Sequence, residues 1–309
     1  MNSKIILYGV FYFILTSFFL YLLIKEKKIA EKFSIYREKY SNKLVGIFKI
    51  KNENIRKKIK KVINVIESIV VAIGLVLIIQ RFYIGNFVIP TGSMIPTIEI
   101  GDRLFADMVS YKFRLPKREE IIVFKEPIQD KFLYTKRAMG LPGEKVAIKN
   151  NRLYINDLVI ETREYSNLDL GDIEWIVPKK GDRLEIIPTE NFPIIYEAFK
   201  EYDWSVYKVQ RDMYKASAFT NYVMKELKFL LNDVETGMIL DYIHDKKNIE
   251  KLLKGEKIEV ILDDDYFLAL GDNTYNSSDS RIWGFVASKR IRGRGLVRFW
   301  PLTRIGILK

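Results

Sequence analysis

The twenty residues from Ile5 to Ile24 carry no formal charge, and no other feature restricts the fold of this chain so strongly. As a helix they extend about 30 Å, the thickness of a bilayer's hydrocarbon core. A helix apolar on every side has to be buried in protein or in lipid. A cleavable leader would start on a basic cluster and end in a small-x-small cleavage site. This run follows Lys4 alone and ends Leu22-Leu23-Ile24-Lys25, so it reads as a retained membrane span.

A second apolar stretch is shorter at its centre. Ser68 to Gln80 holds thirteen uncharged residues, and extension to Val62–Ile84 takes in Glu67 and Arg81. An arginine stem can reach the interface, and Phe82-Tyr83 suit an interfacial aromatic belt. Between the stretches, residues 25–61 hold 14 Lys/Arg against four Glu, which accounts for ten of the chain's net +12. Basic flanks stay cytoplasmic, so 25–61 is expected inside and the N-terminus outside. The expected organisation is a span at 1–24, a basic cytoplasmic loop at 25–61, a span at 62–84 and an extracytoplasmic domain at 85–309. Membrane lipids, with anionic headgroups at the basic loop, are expected partners. Nucleic acid is not, because a binder spreads its charge over a folded face.

Beyond Ile84 the pattern turns to short apolar runs between turn residues. Ile121 to Phe124 precedes Pro127; Lys145 to Lys149, Arg152 to Ile155 and Leu158 to Glu161 are separated by Asn150-Asn151 and Asn156-Asp157. This is the signature of a β-meander with tight turns. Leu184 to Ile187, Ile258 to Leu262, Tyr266 to Leu270 and Leu296 to Trp300 add further strands, giving a mainly antiparallel, barrel-like or sandwich-like domain. Residues 191–255 interrupt it. Met213, Ala216, Phe219, Val223, Leu227 and Leu231 predict one helix over Val209–Leu231, and Ile249, Leu252 and Leu253 predict another. The expectation is a mostly helical insertion that leaves room for a protein partner.

The chain has no cysteine and one histidine, His244. Disulfides, thiolate catalysis and Cys- or His-rich metal sites are excluded, and no metal or cofactor is expected. A serine nucleophile would need a base other than histidine, and a lysine without its proton can serve. Ser93 lies in Pro90-Thr91-Gly92-Ser93-Met94-Ile95-Pro96-Thr97, where the Ser93 N–H and the Thr91 hydroxyl are placed to face an oxyanion. Lys136 lies in Tyr134-Thr135-Lys136-Arg137-Ala138-Met139-Gly140-Leu141-Pro142-Gly143. To act as a base at neutral pH it must be desolvated, since an ordinary lysine has a pKa near ~10.4. The third segment runs from Gly271-Asp272-Asn273 through Ser277 to Asp279-Ser280-Arg281. Read as a bland feature, each is a turn, a solvent-facing strand lysine or a polar loop. Ser205-Val206-Tyr207-Lys208 fits a Ser-x-x-Lys pattern, but in so lysine-rich a chain this is expected by chance.

The three segments, in this order behind two spans, resemble the bacterial type I signal peptidases (leader peptidases). The resemblance covers about residues 62–160 and 258–300, including Gly101-Asp102 and Glu120 to Pro127. It implies a membrane-bound serine endopeptidase with a Ser/Lys dyad that removes signal peptides from exported preproteins at the outer face of a bacterial cytoplasmic membrane. By it Ser93 is the nucleophile, Lys136 the general base, Thr91 an oxyanion donor and Ser277 the group that positions Lys136. Asp279 and Arg281 form a supporting pair. The lysine, where the endoplasmic-reticulum relatives have histidine, marks the bacterial type. Departures are Glu144 for a usual Asp, Ala287 for a frequent Pro, and a helical insertion in place of a β-rich one. The alternatives are a peptidase dedicated to one pilus- or conjugation-type substrate, and a membrane-anchored assembly protein without catalysis.

Overall fold

The structure, a computed structural model, describes residues 3–47, 52–160, 163–166, 168, 172–207 and 211–308. It divides into two units, Met1–Ile84 and Gly85–Lys309. The first is helical: α1 (Ser3–Ile24), α2 (Glu26–Ile47) and α3 (Glu53–Phe82). Both α1 and α3 are long and apolar enough to cross a membrane. Their apolar side chains, such as Leu7, Phe13, Val71 and Leu77, lie uncovered by protein. Tyr12 Oη donates to Phe82 O (3.0 Å) and Thr16 Oγ1 lies 2.9 Å from Tyr83 Oη, so the aromatic end of α3 packs on α1.

The basic segment between the apolar stretches is itself helical over α2 and the start of α3. Asn52 fixes that start, since its Oδ1 accepts from Asn54 N (2.9 Å) and Ile55 N (3.3 Å) and satisfies two donors of the first turn. Residues 48–51 of this segment lie outside the described residues.

The second unit begins with β1 (Ile84–Val88), β2 (Arg103–Asp107), β3 (Ile121–Lys125) and β4 (Leu133–Gly140). A meander of β5 (Lys145–Lys149), β6 (Arg152–Ile155) and β7 (Leu158–Ile160) is followed by β8 (Ile173–Ile176) and β9 (Arg183–Pro188). The expected end of β7, Glu161, lies outside the described residues. Next come α4 (Phe192–Glu201), α5 (Arg211–Ala218), β10 (Leu227–Leu231), β11 (Val234–Glu235) and α6 (Lys246–Leu253). The unit closes with β12 (Ile258–Ile261), β13 (Tyr266–Leu270), α7 (Ser280–Trp283), β14 (Val286–Ala287), β15 (Ile291–Trp300) and β16 (Gly306–Ile307).

These strands form three sheets: β1-β2-β15-β3-β4-β13-β14 with β16 on β15, β7-β6-β5-β8, and β11-β10-β9-β12. One continuous apolar core joins them, running from Ile122 and Phe124 through Val146 and Leu153 to Ile186 and Phe229. The meander turns are as their residues dictate. Asn150-Asn151 and Asn156-Asp157 all have positive φ, the geometry of a tight two-residue hairpin.

The single helix expected over Val209–Leu231 is not present; Val209 itself lies outside the described residues. The helix α5 ends at Ala218, continues as a π-helical turn over Phe219–Val223, and gives way to strand β10. The insertion is therefore mixed, with a hairpin of its own in the β9 sheet. The misreading has a physical cause. Val223, Leu227 and Leu231 are four apart, and four is both about one helical turn and two strand repeats. Leu227, Phe229 and Leu231 are buried while Lys228 between them is exposed, which is strand alternation. Asn232-Asp233, both at positive φ, close the β10–β11 turn.

This assignment makes Phe229, 3% exposed, a core residue. Phe229→Ala is expected to cost about 3–5 kcal/mol, while Lys228→Ala, exposed beside it, should stay within about 0.5 kcal/mol. Thermal unfolding of the full chain in detergent measures both; equal midpoints for the two variants would contradict the strand.

Candidate active site

Ser93 stands in the connection between β1 and β2, and two forces hold that connection. Met94 and Ile98 are buried in a small apolar cluster with Ile89 and Leu104. Backbone bonds Ile95 N to Gly92 O (3.1 Å) and Ile98 N to Met94 O (2.9 Å) tighten it into turns. From the far end of the sequence, Asn273 N donates to Ser93 O (3.0 Å) and Asn273 Nδ2 to Gly92 O (3.1 Å). Gly271, at the end of β13, permits this approach. A Cβ there would sit 2.5 Å from Ser93 O and 2.1 Å from Ser277 Oγ.

Lys136 projects from β4, opposite Ile122 of β3. Its side chain is 3% exposed, and Nζ lies 2.6 Å from Ser93 Oγ and donates to Thr135 O (3.2 Å). Burial pushes its pKa down to about 8, against the opposing pull of Asp279 and Asp272 and with some help from Arg281. Desolvation is the largest of these influences, and each carboxylate also carries its own guanidinium. Arg281 Nε and Nη2 bind Asp279 at 2.8 and 2.7 Å, and both residues are buried. Arg137 Nε and Nη2 bind Asp272 at 2.8 and 2.9 Å. An amine so placed can take a proton from the neighbouring hydroxyl.

The expected residues converge, with one difference in detail. Thr91 lines the same cleft as Ser93 and Lys136. Asp279 also accepts from Gly271 N (3.0 Å), fixing the backbone that clamps Ser93, and Arg281 Nη1 donates to Thr274 O (2.6 Å). Ser277, expected to orient the lysine amine, is buried, and its hydroxyl has no hydrogen-bond partner among the described residues. His244 stays out of this chemistry, its Nε2 bonding to Pro127 O (2.6 Å).

Two features escaped the sequence reading. The Arg137–Asp272 pair joins all three segments, since Thr97 Oγ1 and Arg163 also bind Asp272. Its signal was a cation directly after Lys136 and an anion directly after Gly271, each of which alone reads as a charged side chain facing water. The second feature is Glu126, 2% exposed. It accepts from Ile128 N (2.7 Å), Gln129 N (2.9 Å), Lys131 N (2.8 Å) and Phe132 N (3.3 Å), and so shapes the loop entering β4.

The cleft around Ser93 measures about 1200 Å³ and is lined on one side by Val88, Phe132, Leu133 and Tyr134. β13 pairs with β4 only from Arg137 onward, so Leu133–Lys136 has β3 on one side and no strand partner on the other among the described residues. Among the described residues no cluster of His, Cys, Asp or Glu is fit to hold a metal.

Asp279→Ala would leave the Arg281 guanidinium buried without a counter-charge, at a cost of roughly 3–5 kcal/mol. The double variant with Arg281→Met is expected to recover part of that loss. Thermal midpoints of the single and double variants decide it, and a double variant no more stable than the single one would count against the pair.

Comparison with known proteins points to one family. The family described as signal peptidase, peptidase S26, matches residues 62–300. A probable signal peptidase I-2 of Synechocystis is 26% identical over 252 residues, covering 79% of this chain and 74% of the relative. A signal peptidase I of Leptolyngbya laminosa is 28% identical over 250 residues, covering 78% of this chain and 79% of its own. One from Buchnera aphidicola subsp. Schizaphis graminum is 30% identical over 242 residues, covering 73% and 70%.

Proposed function

The chain belongs to the peptidase S26 family of signal peptidases, and we propose that Ser93 is its nucleophile and Lys136 its general base. It is a serine endopeptidase that removes signal peptides from preproteins, as that family does. The observation that carries the residue assignment is the 2.6 Å approach of a buried lysine amine to Ser93 Oγ. An ordinary lysine is only about 0.04% neutral at pH 7, and one with a pKa of about 8 is roughly 10% neutral there. Burial therefore multiplies the active form by some two orders of magnitude.

Neutral Lys136 takes the Ser93 proton as Oγ attacks the scissile carbonyl carbon, and the negative charge moves to the carbonyl oxygen. The Ser93 N–H and the hydroxyl of Thr91, which lines the same cleft, are the donors we assign to that oxyanion. The C–N bond breaks as the Lys136 ammonium returns the proton to the leaving amine. Water, deprotonated in turn by Lys136, hydrolyses the ester on Ser93. Ser277, buried and with a hydroxyl that has no hydrogen-bond partner among the described residues, is the group proposed to position the Lys136 amine. An extended substrate adds to the open Leu133–Lys136 edge, which brings its carbonyl past both groups.

Two apolar helices joined by a basic segment support a membrane anchor with that segment on the cytoplasmic side and residues 85–309 on the other. Incubating the purified full chain with a bacterial preprotein and sequencing the new N-terminus tests the activity. Ser93→Ala and Lys136→Ala are each expected to abolish cleavage while thermal unfolding shows an intact fold. Near-normal turnover by either would sink the assignment.

The pH profile tests the base directly. The working form is the neutral amine, so kcat/KM should rise about tenfold per pH unit on the acid side and level near pH 8. Arg281 helps to lower the Lys136 pKa, so Arg281→Met should move the midpoint upward. A profile flat from pH 6 to 9, with chemistry rate-limiting, would rule Lys136 out.

A further inference from the structure

We propose that α5 and the π-helical turn after it form a second wall of the cleft, one that selects the substrate. The proposal rests on the reading of this cleft as the peptide site. Tyr214, Ser217 and Asn221 are spaced by three and four residues, so they fall on one stripe of the helix. All three are exposed, and all three line the cleft that contains Ser93 and Lys136. The wall thus comes from the inserted region and not from the sheet that carries the catalytic groups.

It is also held in place. Gln129 Nε2 donates to Asp212 O (3.1 Å), and Lys131 pairs with the Asp212 carboxylate. Below the stripe, Thr220 is 2% exposed and its Oγ1 donates to Ala216 O and Ser217 O, each at 3.1 Å. Val223 and Met224 bury the far end in the core. Tyr214 is steadied by stacking on Tyr207, with ring centroids 4.5 Å apart.

The chemistry of the two walls differs. Leu133 and Phe132 make the strand side apolar, whereas the stripe offers a phenol, a hydroxyl and an amide. A peptide added to the β4 edge sends alternate side chains to opposite faces. One set meets the apolar floor and the other meets this polar stripe. The favoured occupant is an extended polypeptide segment that is apolar on one face and small or polar on the other. A bulky apolar side chain on the second face would meet α5 with its polar groups left unpaired.

Binding separates this inference from the catalytic reading. The probe is a labelled bacterial preprotein with its leader intact, titrated into the full chain carrying Ser93→Ala in detergent. Adding Ser217→Trp or Asn221→Trp, which fill the cleft from exposed positions, should raise Kd about tenfold or more. Tyr222→Ala, exposed and outside the cleft lining, should leave Kd unchanged. Equal affinity in the tryptophan variants overturns the wall, whatever the wild-type enzyme cleaves. Absence of any binding to the Ser93→Ala chain also overturns it. Weakened binding together with a wild type that does not cleave upholds the wall and removes the dyad.

Discussion

A lysine amine held out of water in the middle of strand β4 is the constraint on which the rest of this site depends. Lowering its pKa from the ordinary range to about 8 corresponds to about 3 kcal/mol of bias against the ammonium. That bias survives only if nearby carboxylates do not restore the charge. Asp272 and Asp279 both raise the pKa of Lys136, and each is bound by an arginine through two hydrogen bonds. The buried ion pairs thus bear on the proposed base as well as on the fold. They tie the backbone together and present Lys136 with near-neutral pairs in place of bare anions.

The same pairs explain how segments far apart in sequence meet. Asp272 binds Arg137 of β4 and Thr97 of the Ser93 connection, while Asn273 holds Gly92 and Ser93 by the backbone. Asp279 then fixes Gly271 N, so the clamp is itself anchored. Gly271 is the necessary permissive point, since any side chain there would occupy the space of Ser277 Oγ and Ser93 O. Ser93 is thus placed by this backbone approach together with the burial of Met94 and Ile98.

How much of this was legible in the sequence follows from what each residue's neighbours reveal. Ser93 and Lys136 stood out only through the resemblance of three ordered segments to a known family, whereas the two apolar runs and the Asn-Asn and Asn-Asp hairpins were readable because composition or turn chemistry marks them locally. Arg137 and Asp272 were not, because a single charged residue gives no sign of burial until its partner, 135 positions away, is known. The insertion failed for a different reason. A four-residue spacing of apolar positions satisfies both helix and strand, and only the buried Phe229 between Leu227 and Leu231 separates the two. The Asn232-Asp233 turn held the deciding information, since a pair suited to positive φ between apolar runs argues for a hairpin.

Glu126 ties the inserted region to the chemistry. Its carboxylate accepts from four backbone N–H groups of one loop. The loop holds α5 through Gln129 and Lys131 and then runs directly into the strand that carries Lys136. A buried carboxylate that accepts several backbone donors is rigid, because releasing any one of them leaves a polar group unpaired out of water. The proposed wall and the proposed base are therefore joined through one loop. On the proposed reading, substrate fit against α5 and the approach of a carbonyl to Ser93 are fixed in one frame, although Ser93 and α5 lie far apart in the sequence.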